Sequence, residues 1–258
     1  MSLYGLFADP ATIRDHLVAL SNILPSGAID IIGEQVSRIA SKSEDTLGIS
    51  FAIGLGVSLW SANAGMKAFF DALNIVYDED EKRGFIALNL RSLVFSLGAV
   101  VFILVALAGI VVVPVVLAFV GLTSSTEWLL AIGRWPILLA GITLGLAVVY
   151  RYGPSRDQAK WKWVTPGSIV AAVLWLAVSM LFSWYAANFG SYNETYGSLG
   201  AVIGFMTWIW ISSVVMLLGA EINAEMEHQT AKDTTRGPDR PMGARGATMA
   251  DHLGAARV

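Results

Sequence analysis

The sequence predicts an all-α fold, a polytopic transmembrane helix bundle with five spans in this chain, and three observations carry that prediction. Of the 258 residues, 55% are hydrophobic and only 14% charged, where a soluble domain carries about 25% charged residues. Mean hydropathy is +0.61. The apolar residues lie in long runs, and crossing a bilayer takes about 20 of them in succession, whereas soluble cores read as short amphipathic segments.

The first span runs from about Gly48 to Phe70, the second from Leu93 to Val120, the third from Leu129 to Tyr150, the fourth from Pro166 to Ala187 and the fifth from Leu199 to Ala220. The second holds no charge and is longer than the hydrocarbon core requires, so it is expected to tilt or to bend near Pro114. Thr165 before Pro166 reads as an N-cap with proline at the first helical position of the fourth span. Ser198 is a cap for the fifth.

Three regions follow. Residues 1–47 read as two external amphipathic helices: Asp9 and Pro10 open one with Ile13, Leu17 and Leu20 on a face. Ser26 caps the other, with Ile29, Ile32, Val36 and Ile39 along a stripe. Residues 48–227 form the bundle. Residues 228–258 are rich in Gly, Arg, Asp and Thr without apolar periodicity, and a disordered cytoplasmic tail is expected there.

Orientation follows from Lys and Arg in the short connections. Lys82, Arg83 and Arg91 follow the first span; Arg151, Arg156, Lys160 and Lys162 follow the third; Lys232, Arg236, Arg240, Arg245 and Arg257 follow the fifth. The two intervening connections hold only Glu127 and Glu194. The basic segments are therefore assigned to the cytoplasm, which leaves residues 1–47 outside with no signal peptide to carry them. Ser2 to Phe7 resembles the trailing end of an apolar helix, so an upstream span is expected.

Four stretches carry a family resemblance. They are Ser58-Leu59-Trp60-Ser61 continuing to Ala72-Leu73-Asn74-Ile75-Val76-Tyr77; Tyr152-Gly153-Pro154 with Trp161-Lys162-Trp163 and Pro166-Gly167-Ser168; Ser191-Tyr192 with Tyr196-Gly197-Ser198-Leu199-Gly200; and Leu218-Gly219-Ala220-Glu221-Ile222-Asn223. In this order the chain resembles the YihY/BrkB membrane proteins, once labelled ribonuclease BN. The resemblance implies a bacterial inner-membrane protein with six spans and both termini cytoplasmic. This chain departs from it by lacking the first span. The resemblance supplies no single substrate.

The polar residues of the first span are the most informative. Asn63, Lys67, Asp71 and Asn74 are four, four and three residues apart, which places them on one stripe of a helix. Buried polar groups at membrane depth need a bundle interior, a partner or water. One reading is a substrate path with Lys67 and Asp71 as an i, i+4 pair; the other is that Lys67 snorkels to the headgroups and Asp71 sits at the interface. Arg134 is placed to meet a substrate anion or a lipid phosphate, or simply to anchor its helix. Tyr192, Asn193 and Tyr196, in a hydroxyl-rich outer loop, read as a polar entrance or as part of an aromatic belt. Glu221, at the end of the fifth span, is a partner for Lys67 or Arg83. Gly141-x-x-x-Gly145 and Gly200-x-x-x-Gly204 permit close helix approach.

No catalytic set is visible. The histidines, His16, His228 and His252, are far apart, and Asp78 to Glu81 reads as a solvated acidic run. Metal-dependent RNA cleavage needs clustered ligands, so neither ribonuclease activity nor an enzyme of another kind is expected. No metal, cofactor or nucleic-acid partner is expected either. The absence of cysteine excludes disulfides and thiolate sites. The leading expectation is a permease-like transporter or exporter of a small polar solute or lipid-linked molecule, with membrane lipids and a second copy of the chain as partners. The alternatives are an envelope-assembly scaffold docking through Ile13 or Ile39, and a membrane-embedded lipid-modifying enzyme.

Overall fold

The computed structural model describes residues 44–107, 124–189 and 198–254, without the side chains of 44–48, 107, 124–132, 134–135, 186–189 and 198–201. The five long helices are α1 (Glu44–Val76), α2 (Phe85–Leu107), α3 (Ser124–Tyr152), α4 (Trp161–Phe189) and α5 (Ser198–His228), followed by the short α6 (Thr248–Asp251). Among the described residues the only extended pairing is an isolated antiparallel bridge between Ala159 and Thr235. Ile49–Val76, Phe85–Ala106, Trp161–Tyr185 and Val202–His228 are long and apolar enough to cross a membrane, and α3 contributes the shorter apolar stretch Pro136–Tyr152. Large apolar side chains such as Trp60, Ile103, Met180, Phe205 and Trp210 are exposed. Water would not tolerate so extensive an apolar surface, but lipid does. The fold is an all-α, polytopic membrane bundle, as predicted.

The boundaries differ in instructive ways. α2 begins at Phe85, ahead of the expected Leu93, and the part of the predicted second span around Pro114 lies outside the described residues, as do the helices expected in residues 1–43. α4 begins at Trp161, so Pro166 lies inside the helix and is not its first residue. Thr165 does not cap; its hydroxyl donates to the Trp161 carbonyl at 2.8 Å.

The chain divides into compact units at residues 1–63 and 64–258. In the first, α1 presents mainly exposed apolar side chains from Ile49 to Trp60. In the second, α4 packs against both α3 and α5. Trp175 and Ser179 of α4 face Trp208 and Ser212 of α5. The Trp175 indole donates to Ser212 at 2.9 Å and the Trp208 indole to Ser179 at 3.2 Å, while the two rings lie 5.8 Å apart. Each indole N–H thus finds a partner in surroundings that offer no water.

Two glycines set the closest approach of α4 and α5. A Cβ on Gly167 would collide with the Gly219 carbonyl, and one on Gly219 would lie 2.5 Å from the Ala171 Cβ and 2.7 Å from the Tyr150 hydroxyl. Tyr150, fully buried on α3, donates to the Met216 carbonyl at 2.6 Å. Of the expected Gly-x-x-x-Gly pairs, Gly145 and Gly204 face open space and Gly141 meets only the Phe102 ring, while the surroundings of Gly200 lie outside the described residues. Close packing is made by one glycine from each helix.

α1 ends in a two-bond cap. The Glu79 N–H donates to the Asn74 carbonyl at 2.8 Å and the Asp78 N–H to the Ile75 carbonyl at 3.1 Å, the pattern that closes a helix through a left-handed residue. Here that residue is Asp78, with φ of 52°.

The segment after α5 corrects another expectation. Residues 229–254 are not a disordered tail but fold against the end of the second unit. Arg245 is buried and donates to the carbonyls of Ala231, Lys232, Arg240 and Ala250. Asp251 accepts the backbone N–H groups of Gly243, Arg245 and Gly246. Sparse apolar content suggested disorder, but a dense set of charge-assisted hydrogen bonds orders the segment in its place.

Candidate functional site

The polar stripe of α1 is only partly assembled as expected. The Lys67 ammonium donates to Asn89 Oδ1 of α2 at 2.9 Å and does not pair with Asp71, which is exposed. Asn89, Ser92 and Ser96 share one face of α2, and both serines are buried. Asn63 is half-buried in the first unit. Asn74 faces the end of the bundle: its Oδ1 accepts the Ser155 N–H at 2.7 Å and its Nδ2 donates to Glu81 at 3.1 Å. Glu221 is exposed and pairs with neither Lys67 nor Arg83. Arg134 lies on α3, but its side chain is outside the described residues, as are Tyr192, Asn193 and Tyr196 entirely.

Arg83 instead holds Glu81, with Nη2 2.5 Å from Oε2, and also donates to the Gly153 carbonyl at 2.8 Å. Burial works against ionisation of Glu81, but the side-chain and backbone hydrogen bonds from Arg83 and that from Asn74 outweigh it and hold the carboxyl down at about 2. Glu79 is buried too; it accepts from Lys82 at 2.7 Å and from the Thr248 N–H at 2.7 Å. Within the acidic run, Glu79 and Glu81 therefore act as a structural clasp, while Asp78 and Asp80 are exposed as expected.

Sequence reasoning missed the centre of this region. Arg156 and Glu227 form an ion pair at 2.6 Å with both side chains fully buried. The other Glu227 oxygen accepts from Thr234 at 2.9 Å, and the Arg156 guanidinium lies 4.3 Å over the Tyr77 ring. Burial alone would lower the Arg156 pKa, but the Glu227 carboxylate more than offsets it and the group stays charged. Burial also raises the Tyr77 phenol, which stays neutral.

Asn223 joins this cluster to the α4–α5 contact. Pro166 supplies no N–H to the helical ladder, which loosens the first turns of α4. The Asn223 amide bridges there, accepting the Gly167 N–H at 2.8 Å and donating to the Val164 carbonyl at 3.0 Å. The Pro166-Gly167-Ser168 and Glu221-Ile222-Asn223 stretches, distant in sequence, thus form one joint.

Three basic segments meet at this end. The Lys82 N–H donates to the Ser155 hydroxyl at 2.8 Å, the Lys160 N–H to the Thr234 carbonyl at 2.8 Å, and the Asp157 carboxylate pairs with Arg240 at 2.8 Å. Their contact requires that all three lie on one side of a membrane. Among the described residues no group of three or more His, Cys, Asp or Glu side chains is placed to hold a metal ion.

This chain is 33% identical over 219 residues to a Bacillus subtilis (strain 168) protein named as ribonuclease-like, YfkH, covering 83% of this chain and 78% of that one. It is 27% identical over 217 residues to the membrane protein PSHAa0171 of Pseudoalteromonas translucida (strain TAC 125), covering 83% and 69%. It is 26% identical over 213 residues to the membrane protein IL2447 of Idiomarina loihiensis, covering 80% and 70%. No solved structure matches. The family model described as virulence factor BrkB matches residues 1–243, and the chain belongs to that family of multi-pass membrane proteins.

Proposed function

We propose that this chain is an inner-membrane, permease-like protein, not an enzyme, that moves a small polar solute or a lipid-linked molecule, with its C-terminus in the cytoplasm. The observation that carries this reading is the Lys67–Asn89 contact of 2.9 Å between two spanning helices, extended along α2 by the buried Ser92 and Ser96. A cation inside a span is costly to keep and tends to mark a substrate or ion route. The orientation rests on the three basic segments that meet at one end, since Lys and Arg accumulate on the cytoplasmic side.

The test is flux into proteoliposomes of a panel of radiolabelled polar solutes and a headgroup-labelled lipid. For the solute that moves, Lys67→Ala is expected to lower the rate about tenfold or more, as loss of about 1.4 kcal/mol of transition-state stabilisation would. Asp71→Ala is expected to lower it less. Unchanged flux in both variants would remove the α1 stripe from the mechanism.

A further inference from the structure

A groove of about 440 Å³ lies between α3 and α4, lined by Pro136, Leu144 and Ala147 on one wall and by Trp161, Thr165 and Val173 on the other. Its volume is within the range of small-molecule sites. The two helices run antiparallel, so Ala147 and Trp161 share one end while Pro136 and Val173 share the other. At 1.5 Å per residue, the stretch from Pro136 to Ala147 or from Trp161 to Val173 spans roughly 16–18 Å. That is about the depth of one leaflet, half of a core some 30 Å thick.

The Ala147–Trp161 end is basic. Arg151, one turn beyond Ala147, lies 4.5 Å over the Trp161 ring and 5.3 Å over that of Tyr152. Arg151 is 5% exposed, and among the described residues its Nε and Nη1 have no hydrogen-bond partner and it joins no ion pair. Arg91 of α2 reaches the same place, with Nη1 3.4 Å from the Tyr152 carbonyl. A second cation adds charge there without supplying the missing acceptor. Arg91 also lies in the field of Arg83 and Glu81, so Arg151 is the guanidinium left without an acceptor among the described residues. Such a group calls for an oxyanion such as phosphate, and basic sites between helices near the cytoplasmic surface suit anionic headgroups.

We infer that the α3–α4 groove is a binding site for an anionic phospholipid, with one acyl chain laid along Leu144 and Val173 and the phosphate held by Arg151 and Arg91. Charge complementarity, the one-leaflet length and the unpartnered donors of a nearly buried arginine select an anionic phospholipid, which brings an acyl chain for the apolar groove and an anion for its basic end. The inference does not depend on Lys67 or on transport.

The test uses the purified full chain, delipidated in detergent, with native mass spectrometry and thermal unfolding across titrations of phosphatidylglycerol, phosphatidylcholine and inorganic phosphate. Phosphatidylglycerol is expected to bind about tenfold or more tighter than phosphatidylcholine, in keeping with two basic side chains facing one anion. Inorganic phosphate should not displace it. Arg151→Gln should reduce the preference to less than about threefold, and Arg151→Lys should restore part of it. Leu144→Trp, at an exposed lining position, should weaken lipid binding by filling the groove. Equal affinity for the two lipids, or an unchanged preference in Arg151→Gln, overturns the inference. Displacement by inorganic phosphate overturns its acyl-chain half.

Discussion

Glu227→Gln offers the sharpest test of the region built here. The change keeps the side-chain volume and removes one charge from a fully buried pair whose N–O separation is 2.6 Å. Removing one partner of such a pair costs about 3–5 kcal/mol, because the other charge is left buried without compensation. The glutamine oxygen can still accept one hydrogen bond from Arg156, which returns about 1 kcal/mol. The expected loss is therefore about 2–4 kcal/mol, large against a total stability of some 5–15 kcal/mol. Arg156→Met should cost a comparable amount, whereas the double variant Arg156→Met with Glu227→Leu should recover at least about 2 kcal/mol of the summed losses, since neither charge remains. Unfolding in mild detergent, followed by tryptophan fluorescence, supplies the free energies, and protease cleavage within 229–254 reports whether that segment detaches. A loss below about 1 kcal/mol, or a double variant as unstable as the two losses added together, would show that water reaches the pair and would refute the argument.

Gly219→Ala is expected to destabilise by about 1–3 kcal/mol through overpacking, because the new Cβ meets the Ala171 Cβ at 2.5 Å and the Gly167 carbonyl oxygen at 2.7 Å. Gly204→Ala, facing open space on the same helix, should be neutral or stabilising by up to about 1 kcal/mol; equal melting temperatures for the two variants would contradict the assigned crossing. Acid should release the end of the bundle. Glu81 is held at about 2 by Arg83 and Asn74 against the pull of burial, and Asp233 is held at about 2, again against burial, by Thr235, the Arg240 N–H and Arg245. Both folded values lie below the unfolded ones, so their stabilisation is complete above roughly pH 4.5 and is lost as pH falls toward 2. Protease accessibility of 229–254 should stay flat from pH 8 to about 5 and rise between about 4 and 2; no rise by pH 2 would sink the assignment.

The spans were legible because long apolar runs leave little choice in a bilayer. Every described part of the five predicted segments lies in a helix, and two of the stretches behind the family resemblance, Pro166-Gly167-Ser168 and Leu218 to Asn223, do meet in space. What failed was the reading of polar residues one at a time. Lys67 and Asp71 are spaced as an i, i+4 pair, yet Lys67 reaches Asn89, 22 residues away, and sequence spacing on one helix says nothing of what a neighbouring helix presents. Thr165-Pro166 has the composition of a helix start, but a helix tolerates an internal proline when another chain segment supplies hydrogen bonds, and Asn223 does so from 56 residues away.

The same limit hides the folded end, which has the composition of a loop and a tail. The number of Lys and Arg in each connection groups these residues on one side of a membrane. Pairing carries different information. Arg156 and Glu227 are separated by 71 positions, one in a connection read as positive and the other in the last turn of a span, and neither stands out by composition. Once paired, they close the end of the bundle together with Tyr77, Thr234 and Asn223, at the place where the three basic segments touch. Basic residues that record orientation in the sequence thus have a second use in the fold. Arg156 fixes Glu227, Arg83 fixes Glu81, and Arg245 gathers four carbonyls of its own segment. Among the described residues Arg151 is the one of these four arginines with neither a carboxylate nor a carbonyl partner, and that difference is what turns an orientation signal into a candidate lipid site.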